Sequence, residues 1–238
     1  MKKIIIVFIS FFIVLGIYQY FFSLETDSPE PQVYVLKDSI VYDGSLTAEG
    51  VKKAKNLYSK NINNLILNSR GGEVNLGMDL GEWVFDKKLN VIVKYIAASS
   101  AANYIFTAGQ KKFLYKNSFI AWHGGAFQAQ QTLYEKFFTK FILKDYMTKT
   151  RKRELEFFKK INVDYRITIL GQQENFKKYD DSYSAWTYSL NALSKLGVDN
   201  IILIDGEWTP ITEFKGKKLF IIENIDGKEK NSSSRENI

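Results

Sequence analysis

LILNSRGGEVNLGM (65–78), VIVKYIAASSAANYIFTAG (91–109) and NSFIAWHGG (117–125) are three neighbouring stretches whose reading decides the fold. Each holds a short apolar run rich in Ile, Val, Leu or aromatic residues, the pattern of a strand buried in a sheet. Each run ends on groups that carry chemistry: Gly71-Gly72, then Ser100, then His123, the only histidine of the chain. Open α/β sheets bind ligands outside the carboxyl ends of their strands. Three such ends side by side would bring backbone N–H groups, a hydroxyl and an imidazole to one point, the parts of a serine acyl-transfer site.

The flanking segments extend the alternation. Val33–Tyr42 reads as a first strand and Asp43-Gly44 as a turn. From Thr47, Val51, Ala54, Leu57 and Tyr58 recur at helical spacing. A helix is predicted over Val74–Phe85, a strand over Val91–Ile96 and a short helix over Ala101–Ala108, stopped by Gly109. Lys112–Tyr115 and Phe119–Trp122 read as strands, residues 126–160 as a long amphipathic helix broken near Thr148–Thr150. Beyond it come a strand at Val163–Leu170, a helix at Ser184–Leu196, and strands at Ile201–Ile204 and Leu219–Ile222. Strands alternating with helices argue α/β.

The first 23 residues differ from the rest. IIIVFISFFIVLGIYQYFF (4–22) has the length and apolarity of a membrane-spanning helix, and Lys2 and Lys3 before it mark the cytoplasmic side. A cleaved signal peptide is the alternative, but bulky aromatics stand where a small-x-small cleavage site would lie. The expected organisation is an anchor over 1–23, a polar linker over 24–32, one α/β domain over 33–225 and a disordered polar tail over 226–238. The expected location is the cell membrane, single-pass, with the domain outside the cytoplasm, in the periplasm.

Composition narrows the chemistry. The chain of 238 residues has no cysteine, which excludes disulfides, thiolate metal sites and a cysteine nucleophile. One histidine excludes a multi-histidine metal centre, and no metal or cofactor is expected. The formal charge of +7 is mild for the length and comes with no nucleic-acid motif.

Taken singly, each candidate has an ordinary structural reading. Gly71-Gly72 would serve any strand-to-helix turn, Ser100 would serve as a helix cap with Ser99 an equal candidate, and a lone histidine is often structural. Together the segments carry a resemblance. Ser69-Arg70-Gly71-Gly72-Glu73-Val74-Asn75-Leu76-Gly77-Met78 resembles the S-P-G-G-x-x-x-x-G-M segment of the Clp protease proteolytic subunit. Ala98-Ser99-Ser100-Ala101-Ala102, with Gly109 nine residues after Ser100, is similar to that family's A-A-S-M-G…G nucleophile segment. Asn117–His123 is similar to its P-N-S-x-x-x-x-H segment, and residues 191–200, NALSKLGVDN, to its E-A-x-x-x-G-L-x-D ending. Arg70 stands in place of the family's proline and Ala102 in place of its glycine.

The resemblance implies a Clp/crotonase-like ββα spiral domain, here preceded by one transmembrane helix. It implies Ser100 as nucleophile, His123 as general base, Asp181 (or Asp180) as the third, acidic member, and an oxyanion hole of the Gly71 and Ala101 N–H groups. It implies a peptide or protein substrate and a homo-oligomer, with Phe137 and Phe141 of the long helix at a subunit contact. The expected function is a membrane-anchored serine peptidase. The alternative is a catalytically degraded module that binds peptides or assembles at the membrane.

Overall fold

The structure, a computed structural model, describes residues 30–128, 144–179 and 183–225. The expected anchor, Phe137 and Phe141, Asp180 and Asp181, and the polar tail lie outside the described residues. Among the described residues no helix is long and apolar enough to cross a membrane.

The chain is α/β, as its alternation predicts. The main sheet runs β1 (Gln32–Leu36), β2 (Ser39–Asp43), β3 (Asn64–Ser69), β4 (Asn90–Ala98), β5 (Lys112–Leu114) and β8 (Ile201–Leu203). A seventh strand, β6 (Phe119–Ala121), also pairs with β4. All pairings but β1–β2 are parallel. Nine-residue β4 is shared: Val91–Val93 pair with β5, and Ile96–Ala98 pair with β6. A register shift in β3 between Leu67 and Ser69 re-aims its end at Ala97. A second sheet holds β7 (Ala185–Tyr188), β10 (Lys217–Ile222) and β9 (Glu213–Phe214), tied to the first by a Trp122–Trp186 bridge.

Helices α1 (Ala48–Asn56) and α2 (Val74–Asp86) cover the sheet, capped by the side chains of Thr47 and Glu73. Leu65, Leu67, Val91 and Val93 are fully buried beneath them. Helix α2 lies unusually close to the segment after Ser100. A Cβ on Gly77 would stand 2.9 Å from Ser100 Cβ, and one on Gly81 would stand 2.4 Å from Tyr104 O. Only glycine permits that approach. Helix α3 (Lys144–Ile161) anchors its far half in the core through Glu154, Phe157, Phe158 and Ile161, and α4 (Leu190–Lys195) closes the domain.

Five local expectations differ from the structure. Val33–Tyr42 is a hairpin rather than one strand, because Lys37 turns at φ 57° and the chain pairs back on itself. Ala101–Phe106 is a π-helix, and α3 runs unbroken through Thr148–Thr150. Val163–Leu170 holds 3-10 turns started by the Asp164 side chain accepting from Arg166 N. Ser184–Leu196 divides at Ser189, which ends β7 and caps α4 by accepting from Ala192 N.

Candidate active site

The sheet order brings the three segments together. β3, β4 and β6 are parallel and adjacent, with β4 between the other two, so their carboxyl ends share one rim. Gly72, Ser99, Ser100 and His123 all line one cavity of about 250 Å³ at that rim. Val74, Tyr146, Met147 and Thr150 form its far wall.

The glycine turn is built for amide presentation. Gly71 sits at φ 92°, and its N–H donates to Ser69 Oγ at 3.1 Å. That amide, the one the resemblance nominates for an oxyanion, is thus engaged within its own turn. Gly71 O accepts from Leu46 N at 2.9 Å, on the side of β2. In a trans peptide the C=O and the following N–H point opposite ways. The Gly72 N–H therefore points away from Leu46.

The two serines are not equivalent. Ser100 is 2 % exposed, and its hydroxyl donates to Gly72 O at 2.8 Å. Ser99 is partly exposed and adopts φ 55°, a left-handed conformation uncommon for serine, at the sharp passage from β4 into the π-helix. Its own N–H donates to Ala121 O at 3.0 Å and its carbonyl accepts from Asn103 N at 2.8 Å, so both sides of the turn are fixed. A serine on a strained strand-to-helix turn is the arrangement by which hydrolases expose a nucleophile.

His123 follows β6 in a loop whose backbone is held by side chains. Gln172 Nε2 donates to His123 O at 3.0 Å, and Asn103 Nδ2 to Gly124 O at 2.7 Å. The Ala126 peptide is gripped at both ends by one turn of α3: its N–H donates to Glu154 Oε1 at 3.1 Å and its carbonyl accepts from Arg151 Nε at 3.0 Å. Asn103 and Glu154 are both fully buried. Glu154 also accepts from Tyr104 OH, and burial raises its carboxyl above the usual range despite those bonds. Sequence reasoning passed over this clamp, because a lone Glu or Asn in a helix carries no local signal of burial.

The imidazole lies at the surface yet is crowded by neighbouring atoms. That desolvation lowers its pKa from the ordinary value, and the Lys217 ammonium lowers it further. It is neutral at pH 7 and able to accept a proton. No hydrogen bond joins it to Ser99 or Ser100, and catalytic hydrogen bonds are often open without substrate. Among the described residues no three His, Asp or Glu side chains gather as metal ligands.

No protein-family model matches the chain, and no curated protein matches it in sequence. Among solved structures it is similar to an enoyl-CoA hydratase from Mycobacterium avium subsp. paratuberculosis K-10, with 13 % identity and a TM-score of 0.31. The likeness covers 39 % of this chain and 47 % of that one. The chain thus spans about half the length of that relative, and the likeness is too slight to carry an argument.

Proposed function

We propose that this protein is a Clp/crotonase-like serine hydrolase acting on peptides, anchored in the membrane by residues 4–22 with its domain outside the cytoplasm. The observation that carries this reading is the convergence of Gly72, the Ser99–Ser100 turn and His123 on one cavity at the ends of three parallel strands. Ser99 is the attacking group. Its Oγ adds to the scissile carbonyl, its proton passes to His123, and the oxyanion meets the Gly72 and Ser100 N–H groups. His123 then returns the proton to the leaving amine. Ser100 holds the Gly72 carbonyl and so fixes the strand that presents the oxyanion donor.

The resemblance by spacing favours Ser100, since its motif has a glycine nine residues on, and Ser99 lies ten before Gly109. A π turn closes one residue later than an α turn. The π-helix Ala101–Phe106 takes up that extra residue and supports Ser99.

A fluorophosphonate probe followed by peptide mapping tests this. Labelling is expected on Ser99, lost in Ser99→Ala and His123→Ala. An adduct on Ser100 would return the nucleophile to that position with Ala101 N–H as donor. No adduct on either serine would leave the second reading, a peptide-binding module without catalysis, which the unengaged imidazole favours. Membrane anchoring predicts that the intact chain partitions with membranes and that a C-terminal reporter works only outside the cytoplasm. Sedimentation of the detergent-solubilised protein tests the expected homo-oligomer.

A further inference from the structure

The β9–β10 hairpin places charge beside this site. Lys215 and Gly216 have φ 49° and 75°, and Phe214 pairs with Lys217, so the connection is a two-residue turn of the I′ kind. Phe214 stacks on Phe119 of β6 with ring centroids 4.5 Å apart. Phe119 and Ala121 form one apolar cluster with Leu219 of β10. Alternation along β6 and its Trp122 bridge carries this face on to His123, and alternation along β10 carries it back to Lys217. That is why the Lys217 ammonium acts on the imidazole.

A second cation reaches the Phe214 ring. Arg70, which directly precedes the glycine turn, sets its guanidinium 5.7 Å from the Phe214 centroid. Lys215 Nζ lies 5.9 Å from it. None of the three cations has a carboxylate within salt-bridge distance among the described residues. The nearest acid on the hairpin, Glu213, stands opposite Lys218 in the ladder. Cations that merely solvate a surface point into water. Here the Arg70 guanidinium stands over an aromatic ring, next in sequence to the glycine turn and beside the hairpin whose lysine acts on the base. The N–H edge of a guanidinium matches a carboxylate.

Resting on the hydrolase reading, we propose that Arg70 and Lys217 form a carboxylate subsite, so that the protein selects peptides bearing an acidic group near the scissile bond. The carboxylate comes from a glutamate or aspartate side chain, or from the peptide's own C-terminus.

The single histidine makes the test independent of turnover, because its NMR signals are unambiguous. The full chain in neutral detergent is titrated with acetyl-Ala-Ala-Glu-amide, acetyl-Ala-Ala-Gln-amide, and acetyl-Ala-Ala-Gln with a free C-terminus. The glutamate peptide is expected to bind about two- to fivefold tighter than its glutamine amide, a surface ion-pair effect, and to raise the His123 pKa. The preference should vanish in Arg70→Gln/Lys217→Gln and shrink in high salt. Tighter binding of the free C-terminus assigns the subsite to a terminal carboxylate. Equal binding of both amides together with no gain from a free C-terminus overturns the proposal, as does failure of all three to bind. Acid-selective binding without any fluorophosphonate adduct would overturn the hydrolase reading and leave the subsite standing.

Discussion

Replacing Glu154 tests how the histidine loop is held. The carboxyl accepts from the Ala126 N–H and from Tyr104 OH with the same oxygen, inside a fully buried site. Glu154→Leu leaves both donors buried without acceptors, each costing about 1–3 kcal/mol, for a sum of roughly 2–6 kcal/mol. In a domain of this size that lowers Tm by about 2–4 °C per kcal/mol. Glu154→Gln keeps an acceptor at the shared oxygen and is expected to stay within about 1 kcal/mol of the parent. pH separates the two effects further. Burial raises the folded-state pKa of Glu154, so above its unfolded value the native state holds the extra proton. Its contribution to stability therefore falls as pH rises through the folded pKa, and Glu154→Gln lacks that fall. Calorimetry across pH 4–8, with the His123 NMR signal as a reporter of loop geometry, reads all three outcomes. A Glu154→Leu protein as stable as the parent, with His123 unmoved, would refute the clamp. So would a Glu154→Gln as damaging as the leucine.

Three further outcomes are expected. Gly81→Ala would place Cβ 2.4 Å from the Tyr104 backbone carbonyl, which cannot yield like a side-chain tip, so chemical denaturation should show a loss of at least about 2 kcal/mol. Lys112 is buried, donates to Gly109 O and Asp199 O, and has its pKa lowered to about 8 by burial. Its unfolded state binds more protons above that value, so stability should rise between about pH 8 and pH 10, and Lys112→Met should abolish the rise in urea titrations. Lys217→Met removes a cation acting on the imidazole, so the His123 pKa measured by NMR should rise toward its ordinary value, moving the acid limb of any activity profile to higher pH.

The rim of the sheet was legible in the sequence because apolar runs mark buried parallel strands whatever surrounds them. Leu65–Leu67, Val91–Ile96 and Phe119–Trp122 each carried that pattern, and the groups at their ends fell where the runs stopped. What stayed hidden depends on contacts distant in sequence. Val163–Leu170 looks like a strand by composition, yet Asp164 turns the chain before any ladder can form, and a side chain that accepts from the backbone two residues on overrides β propensity. The Glu154 clamp spans 28 residues, and nothing local distinguishes Glu154 from the exposed Glu156.

The choice between Ser99 and Ser100 shows the same limit at its sharpest. Adjacent residues of one type have the same local chemistry, so only backbone conformation can separate them. That conformation is set by contacts on three sides: Ala121 O receives the Ser99 N–H, Gly72 O receives the Ser100 hydroxyl, and Gly77 admits the Ser100 side chain against α2. Spacing counted along the chain assumes an α-helix after the nucleophile. A π-helix breaks that count by one residue, which is the distance between the two serines. Gly77→Ala therefore offers a second approach to the question. Its Cβ would press on the Tyr104 ring at 2.7 Å and on Ser100 Cβ at 2.9 Å, with no Ser99 atom among its three nearest. If Ser99 attacks, fluorophosphonate labelling should fall only as far as the Gly72 carbonyl loses its Ser100 donor, and the adduct should stay on Ser99. An adduct mapped to Ser100 in a Gly77→Ala protein that remains folded, as judged by its thermal unfolding, would mean that Ser100 itself is the group that reacts.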